Sequence, residues 1–249
     1  MWKLSVLLFL SSLSLQAQDD LSLAGAEERM RAGDYVRAAA ILDSLEGGAV
    51  SPEFFLALGN ARFETGEPGR AILAYERGLR LRPGDRDLKN NLRYVRESAG
   101  ITTPELPDFF LLQLWRRVGA WLGTDVAYAL SLLCWWLAVG GVVWWFLRRQ
   151  QMEEKRRFAL LPGAGVCAVL CLTLFLLAGS RSAFLQSTDE AVLVEDASLR
   201  VAPAEEGSVE AELLQGHKLR ITDRVNRYLK VQLPDGRQGY VTRSEIEII

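Results

Sequence analysis

Few side chains in this sequence of 249 residues have types and spacings that suit catalysis or metal binding. His217 is the only histidine, and it follows a glycine in a segment typical of a solvated turn. The three cysteines lie in strongly apolar stretches, where a thiol usually packs as a small hydrophobic group: Cys134, Cys167 and Cys171. Because Cys167 and Cys171 are four positions apart on one helix face, a redox or metal pair is the alternative interpretation.

The sequence carries none of the common motifs of enzymes or cofactor-binding proteins. A Ser-His-Asp triad would have to use His217, which no supporting motif surrounds. Clustered metal ligands and a phosphate-binding GxxxxGK(S/T) loop are also missing. The net charge of -2 gives no sign of nucleic-acid binding. We therefore expect a protein that is not an enzyme and has no cofactor, no metal site and no nucleic-acid partner.

Two apolar stretches, residues 126–147 and 158–179, dominate the middle of the chain. Each contains no charged residue, and each has the length of about 20 residues that a helix needs to cross a bilayer. The connector 148–157 carries five basic residues, which favours a cytoplasmic loop. The stretches thus predict a transmembrane hairpin with both long flanks on the outer side. A buried helical hairpin in a soluble protein is the alternative.

The N-terminus has the pattern of a secretory signal peptide over residues 1–17. Lys3 is followed by an apolar run from Leu4 to Leu15, and Ala17 offers a small residue before a cleavage point. An uncleaved anchor is the alternative, and both interpretations export the following segment. The resulting hypothesis is a bacterial inner-membrane protein whose soluble domains lie in the periplasm.

Residues 18–98 contain an internal repeat. Gly33 and Gly66 are 33 positions apart, and so are Ala38 and Ala71. The segment resembles the tetratricopeptide repeat, a unit of 34 residues built from paired antiparallel helices. It departs from the family pattern at Arg62, where an aromatic residue is usual, and at Gly78, where alanine is usual. We count about two repeats and one closing helix.

The resemblance to this repeat implies a concave partner-binding groove. Its register places eight residues near that face, six of which are the candidate contacts: Glu27, Arg31, Asn60, Phe63, Asn90 and Tyr94. The remaining two are Met30 and Leu56. The alternative is that Met30, Leu56 and Phe63 only pack between helices.

Residues 99–125 are expected to form a linker and an amphipathic helix before the membrane. Aromatic residues alternate with Arg116 and Arg117, a pattern that suits a helix in the membrane interface. The alternative is a buried support beneath the first span.

Residues 189–249 predict a small all-β barrel of five or so short strands, with Pro234-Asp235-Gly236 as a hairpin turn. The segment resembles a bacterial SH3-like domain, with Tyr228 and Tyr240 where that family usually has tryptophan. These tyrosines are the candidate ligand face, and structural covers on the barrel are the alternative role.

The predicted fold class is multi-domain: an all-α tetratricopeptide-type helical repeat, a two-helix transmembrane hairpin and a small all-β SH3-like barrel. This order resembles the aerotolerance-operon (Bat) family, and within it the E member. The resemblance implies an integral membrane scaffold for other inner-membrane Bat-type proteins, some with von Willebrand A domains, in oxidative or envelope stress tolerance. The competing hypothesis is an envelope tether whose barrel binds peptidoglycan.

Overall fold

The computed structural model describes residues 22–48, 50–101, 110–148, 154–204 and 207–249, with side chains described from residue 162 onward in the fourth range. The chain forms two compact units, Met1–Pro107 with Thr188–Ile249, and Asp108–Ser187. The predicted signal peptide lies outside the described residues, as do residues 102–109 of the predicted linker and residues 149–153 of the predicted basic connector.

From residue 22 to residue 101, the described N-terminal part of the first unit contains five helices: α1 Leu23–Arg31, α2 Tyr35–Leu45, α3 Pro52–Glu64, α4 Pro68–Leu81 and α5 Arg86–Ser98. The turns after α1, α3 and α5 share one conformation, because Gly33, Gly66 and Gly100 all have a left-handed φ of 77°, 80° and 69°. In each turn the next residue's N–H reaches back across the last helical turn, as Glu67 N does to the Arg62 carbonyl at 2.9 Å. The same helix ending therefore recurs three times at a spacing of 33 or 34 residues.

Small residues allow these helices to approach closely. A Cβ at Gly59 of α3 would lie 2.3 Å from the Tyr75 ring of α4. A Cβ at Gly78 would lie 2.8 Å from Leu88, at the start of α5. The contact with Leu88 therefore leaves no room for a methyl group at position 78.

The C-terminal part of the first unit is one antiparallel sheet of seven strands. The strand order is β3-β2-β6-β5-β4-β1-β7. Inward side chains from all seven strands form one apolar cluster, so the sheet curls around its core. The strands are β1 Glu190–Leu193, β2 Ala197–Arg200, β3 Val209–Leu213, β4 Lys218–Val225, β5 Tyr228–Gln232, β6 Gln238–Thr242 and β7 Ile246–Ile248.

Strand β1 is buried on both faces because helix α4 covers its outer side. Ala191 and Leu193 point into the core of the sheet. Val192 and Val194 belong instead to an apolar cluster with Ile72 of α4 and other residues of the helical part. The sheet and the helices therefore share a core and form one body.

Backbone approaches between helix and sheet are close at two glycines. A Cβ at Gly69 would lie 2.8 Å from the Leu193 carbonyl oxygen. Gly216 has a φ of 95°, and a Cβ there would lie 2.5 Å from Ile72 and 2.6 Å from Ile101. Both contacts require a residue without a side chain.

Charged side chains form ion pairs at the edge of the contact between α4 and the sheet. Lys218 Nζ of β4 lies 3.0 Å from Glu76 of α4 and 3.1 Å from Glu190 of β1. Arg96 of α5 approaches the second Glu76 oxygen at 2.7 Å. Burial lowers the pKa of Lys218, but the two carboxylates raise it by more, and the net pKa lies above its ordinary value.

Two arginine side chains of α4 donate hydrogen bonds to backbone carbonyl oxygens at the C-terminal end of the sheet. Arg77 donates to the Ile248 carbonyl oxygen at 2.7 Å, and Arg80 donates to that of Ile249. Helix α4 thus binds the sheet along both β1 and β7.

The second unit contains the helices α6 Phe110–Leu122, α7 Thr124–Arg148 and α8 Glu154–Gln186. Helices α7 and α8 are long and apolar enough to cross a membrane. Tyr128 of α7 packs edge to face on Phe175 of α8, with ring centroids 5.9 Å apart. Helix α8 begins four residues before the predicted span and ends seven after it, so Pro162 lies inside the helix rather than in its first turn.

Helix α6 packs on the C-terminal part of α8. Trp115 Nε1 donates to Ser180 Oγ at 2.8 Å, and Leu177 lies against Gly119. Its opposite side remains exposed, with Trp121 at 84% and Phe110 at 70% exposure. Helix α6 therefore has one packed side, which faces the second apolar helix, and one exposed side.

Replacing Gly216 tests whether the helix–sheet contact stabilises the first unit. Gly216→Ala and Gly236→Ala both place a side chain at a left-handed φ, of 95° and 91°, but Gly236 faces open space. We expect Gly216→Ala to lower the free energy of unfolding by about 1–3 kcal/mol more than Gly236→Ala, because only its methyl group strikes buried side chains. Urea unfolding of the full chain in detergent measures the difference, and equal losses would contradict the contact.

Candidate binding surfaces

The sequence-predicted groove residues lie on the first helix of each antiparallel pair and on the closing helix. Glu27 and Arg31 belong to α1, Asn60 and Phe63 to α3, and Asn90 and Tyr94 to α5. The sheet packs on α4, a second helix, and Tyr94 remains 62% exposed. The surface formed by α1, α3 and α5 is therefore open, and we call it the helical groove.

An aromatic pair lies at the α3–α5 end of the helical groove. Phe63 and Tyr94 meet edge to face, with ring centroids 5.7 Å apart and an interplanar angle of 77°. Phe63 also packs against the buried cluster behind it, so it combines a structural contact with partial exposure. Tyr94 thus presents most of its ring and its hydroxyl to solvent.

Asn60 has a structural role in addition to its place in the groove. Its Oδ1 accepts hydrogen bonds from the Tyr75 hydroxyl and from Asn91 Nδ2, both at 2.8 Å. Burial raises the pKa of Tyr75 well above its ordinary value, so this hydroxyl stays a donor. The amide of Asn60 therefore ties α3 to both α4 and α5.

The other predicted groove residues are solvated. Glu27 and Arg31 form an exposed ion pair at 3.3 Å within α1. Asn90 is exposed and accepts a hydrogen bond from Arg93 at 3.1 Å. Met30 and Leu56, named above as packing alternatives, are partly buried against the apolar clusters.

Tyr228 and Tyr240, the predicted ligand face of the sheet, lie in different environments. Tyr228 is only 6% exposed, and the Arg227 guanidinium lies 5.3 Å from its ring centroid. This burial fits the structural alternative for Tyr228. Tyr240 is half-buried and lies directly opposite Lys230 in the β5–β6 ladder.

Arg62 is a centre of ion pairs at the edge of the helical part. It donates to Asp43 of α2, and it lies 2.9 Å from Glu67 before α4. Burial lowers its pKa, but the hydrogen bond and charge of Asp43 and Glu67 raise it by more. Arg62 therefore forms a charged link between α3, α2 and the start of α4.

Sequence reasoning missed strand β3. Its residues Val209–Leu213 alternate apolar and acidic types, which is the available signal, but glutamates are unusual in strands.

Among the described residues, no group of three or more His, Cys, Asp or Glu side chains is placed to hold a metal ion. His217 Nδ1 lies 2.8 Å from the Leu214 carbonyl oxygen in the turn between β3 and β4.

Comparison with protein families supports one part of the chain. Residues 195–247 match the family model of the bacterial SH3 domain. The C-terminal sheet is a bacterial SH3 domain. No model of the tetratricopeptide repeat or of the Bat family matches the chain. Searches of curated proteins and of solved structures gave no match.

The matched segment leaves out β1, one part of the sheet that contacts the helices. It begins after β1, the strand that packs on α4, and ends at Glu247. The helical part also contacts Gly216 and Lys218, which lie inside the matched segment, so the contact involves residues both within and outside it.

Replacing Asn60 is expected mainly to lower the stability of the first unit, because its side chain is a shared hydrogen-bond acceptor. Asn60→Ala leaves the Tyr75 hydroxyl and the Asn91 amide without their shared acceptor, at a cost of about 1–3 kcal/mol. Asn90→Ala removes an exposed side chain and should change stability by less than about 0.5 kcal/mol. Urea unfolding of both variants, in parallel with the unchanged chain, checks this difference. Equal stability of the two variants would contradict the role of Asn60.

Proposed function

We propose that this protein is a membrane-anchored, non-enzymatic scaffold that binds another protein in its helical groove. The observation that carries the proposal is the exposed Tyr94 ring, which is held edge to face on Phe63. Exposed aromatic side chains on a rigid support are typical anchors of protein interfaces. The SH3 domain fits a binding role as well.

The helical part is proposed to be a tetratricopeptide-type array. Its support is the recurrence of one helix ending at Gly33, Gly66 and Gly100, together with the close α3–α4 approach at Gly59. Two helix pairs and a closing helix lie near the minimum for a solenoid. The shared core with the SH3 domain supplies apolar contacts that such a short array lacks.

Membrane anchoring is supported by the exposure of the apolar helices. In their most apolar stretches, only 17% of α7 and 11% of α8 is buried, whereas the core helix of a soluble protein is mostly buried. The predicted signal peptide and basic connector favour a bacterial inner membrane with the first unit in the periplasm. The exposed side of α6, with Trp121, suits the membrane interface.

The resemblance in domain order suggests the partners. Other inner-membrane Bat-type proteins, including those with von Willebrand A domains, are the proposed ligands of the helical groove. Oxidative or envelope stress tolerance is the proposed process.

A second candidate function is an envelope tether that binds peptidoglycan through the SH3 domain. The match of residues 195–247 to the bacterial SH3 family favours it. The two functions use different surfaces of the first unit, so separate variants test them.

Site-specific photo-crosslinking tests the helical groove. A photoreactive phenylalanine analogue replaces Tyr94, and the matched control replaces Val36 of α2, which is 70% exposed and outside the predicted groove. We expect a discrete adduct with a co-expressed Bat-type partner from position 94 and none from position 36. Equal crosslinking at both positions, or none at either, would count against the groove.

Cysteine labelling in cells tests the membrane arrangement. Cys134, Cys167 and Cys171 are changed to serine, and single cysteines are placed at Ser208 in the SH3 domain or Gln151 in the connector. An impermeant thiol reagent, added after the outer membrane is opened, should label position 208 and spare position 151. The reverse pattern would place the first unit in the cytoplasm and end the proposal of periplasmic partners.

A further inference from the structure

The outer face of the SH3 sheet has one part packed on helix α4 and another part that lies outside this contact and is partly to fully exposed. Helix α4 covers the outer side of β1, and Lys218 at the start of β4 points to Glu76 of that helix. Further along, five outward residues of β4, β5 and β6 lie outside the shared core and form what we call the outer polar face: Arg220, Lys230, Gln232, Gln238 and Tyr240.

The strand register brings these five residues together in two rows. Lys230 lies directly opposite Tyr240 in one row. The other row joins Arg220, Gln232 and Gln238, which are consecutive cross-strand partners. Directly opposite side chains in a sheet are about 5 Å apart and diagonal ones about 7–8 Å, so one small ligand can contact both rows.

The outer polar face carries two positive charges that its carboxylate neighbours leave unpaired. Glu190 lies opposite Arg220, but its carboxylate is 3.1 Å from Lys218. Asp223 lies opposite Lys230, and its Oδ1 accepts from the Arg224 backbone N–H at 2.7 Å. Within the described part of the chain, neither Arg220 nor Lys230 has a carboxylate within ion-pair distance. The face therefore complements an anion.

The other members of the face favour a particular kind of anionic ligand. The tyrosine ring offers an apolar surface with a polar edge, and the two glutamine amides each supply donors and an acceptor. A sugar ring has the matching features, namely an apolar face and a rim of hydroxyl groups. Arginine and lysine bind carboxylates through charge-assisted hydrogen bonds.

We propose that the outer polar face binds a carboxylate-bearing polysaccharide. A sugar ring lies on Tyr240, its hydroxyl groups bond to Gln232 and Gln238, and its carboxylate lies between Arg220 and Lys230. This inference rests on the second candidate function, the envelope tether, and assigns that function a surface and a ligand chemistry. An acidic peptide fits less well, because these residues lie in the interior of the sheet, away from its edge strands β3 and β7.

Binding to a defined acidic polysaccharide tests the proposal. The full chain in detergent is titrated with oligogalacturonate, with the neutral polysaccharide dextran and with poly-L-glutamate, using calorimetry. We expect oligogalacturonate to bind, dextran to bind at least tenfold more weakly, and added salt to weaken the binding of oligogalacturonate. Absence of oligogalacturonate binding, or equally tight binding of poly-L-glutamate, would overturn the proposal.

Paired variants locate the site on the sheet. Tyr240→Leu and the double change Arg220→Gln with Lys230→Gln should each weaken oligogalacturonate binding about tenfold, as expected for losing one good contact. Matched controls are Tyr35→Leu and Lys89→Gln in the helical part, which should bind like the unchanged chain. Unchanged binding by both test variants would place the ligand elsewhere and overturn the assignment.

Urea unfolding curves distinguish loss of the binding site from loss of the fold. The double glutamine variant alters only outward side chains, so it should unfold at the same urea concentration as the unchanged chain. The photo-crosslink from position 94 is an independent readout. Its loss would concern the scaffold function, whereas loss of oligogalacturonate binding with an intact crosslink would concern only the outer polar face.

Discussion

The structure depends on one contact, the packing of strand β1 between the core of its own sheet and helix α4. Because Gly69 and Gly216 have no side chains, the helix and the sheet approach to backbone distance. Val192 then completes the apolar cluster of the helical part. The buried Glu76 carboxylate would be costly alone, but Lys218 and Arg96 neutralise it from both sides. Removing any of these groups would expose apolar surface or leave a buried charge unpaired.

This contact joins the helical part and the SH3 domain. A short helical array and a small sheet each bury little apolar surface, and sharing a core increases the buried area of both. The SH3 domain is consequently part of a larger body, and an isolated fragment of it would expose Val192 and Val194. The sheet packs on α4, and Tyr94 of the helical groove remains exposed. The helical groove and the outer polar face are therefore two separate surfaces of the first unit.

The second unit differs from the first in leaving its apolar side chains exposed. Its helices α7 and α8 leave most of their apolar side chains exposed, which is stable when lipid surrounds them. Contacts that fix the unit are the Tyr128–Phe175 ring pair and the hydrogen bond from Trp115 to Ser180. Helix α6 thus has one side packed on α8 and one side, with Trp121, free to meet an interface.

The sequence alone determined the elements that depend on local pattern. The glycine spacing of 33 gave the helix endings at Gly33 and Gly66, and apolar length gave α7 and α8. Tertiary structure decided what depends on distant partners. Asn60 proved to be a shared acceptor for Tyr75 and Asn91, Tyr228 proved to be buried, and the acidic strand β3 was missed because pairing with β2 outweighs its low propensity. The helix–sheet contact joins residues more than a hundred positions apart, and no local pattern encodes which surfaces will meet.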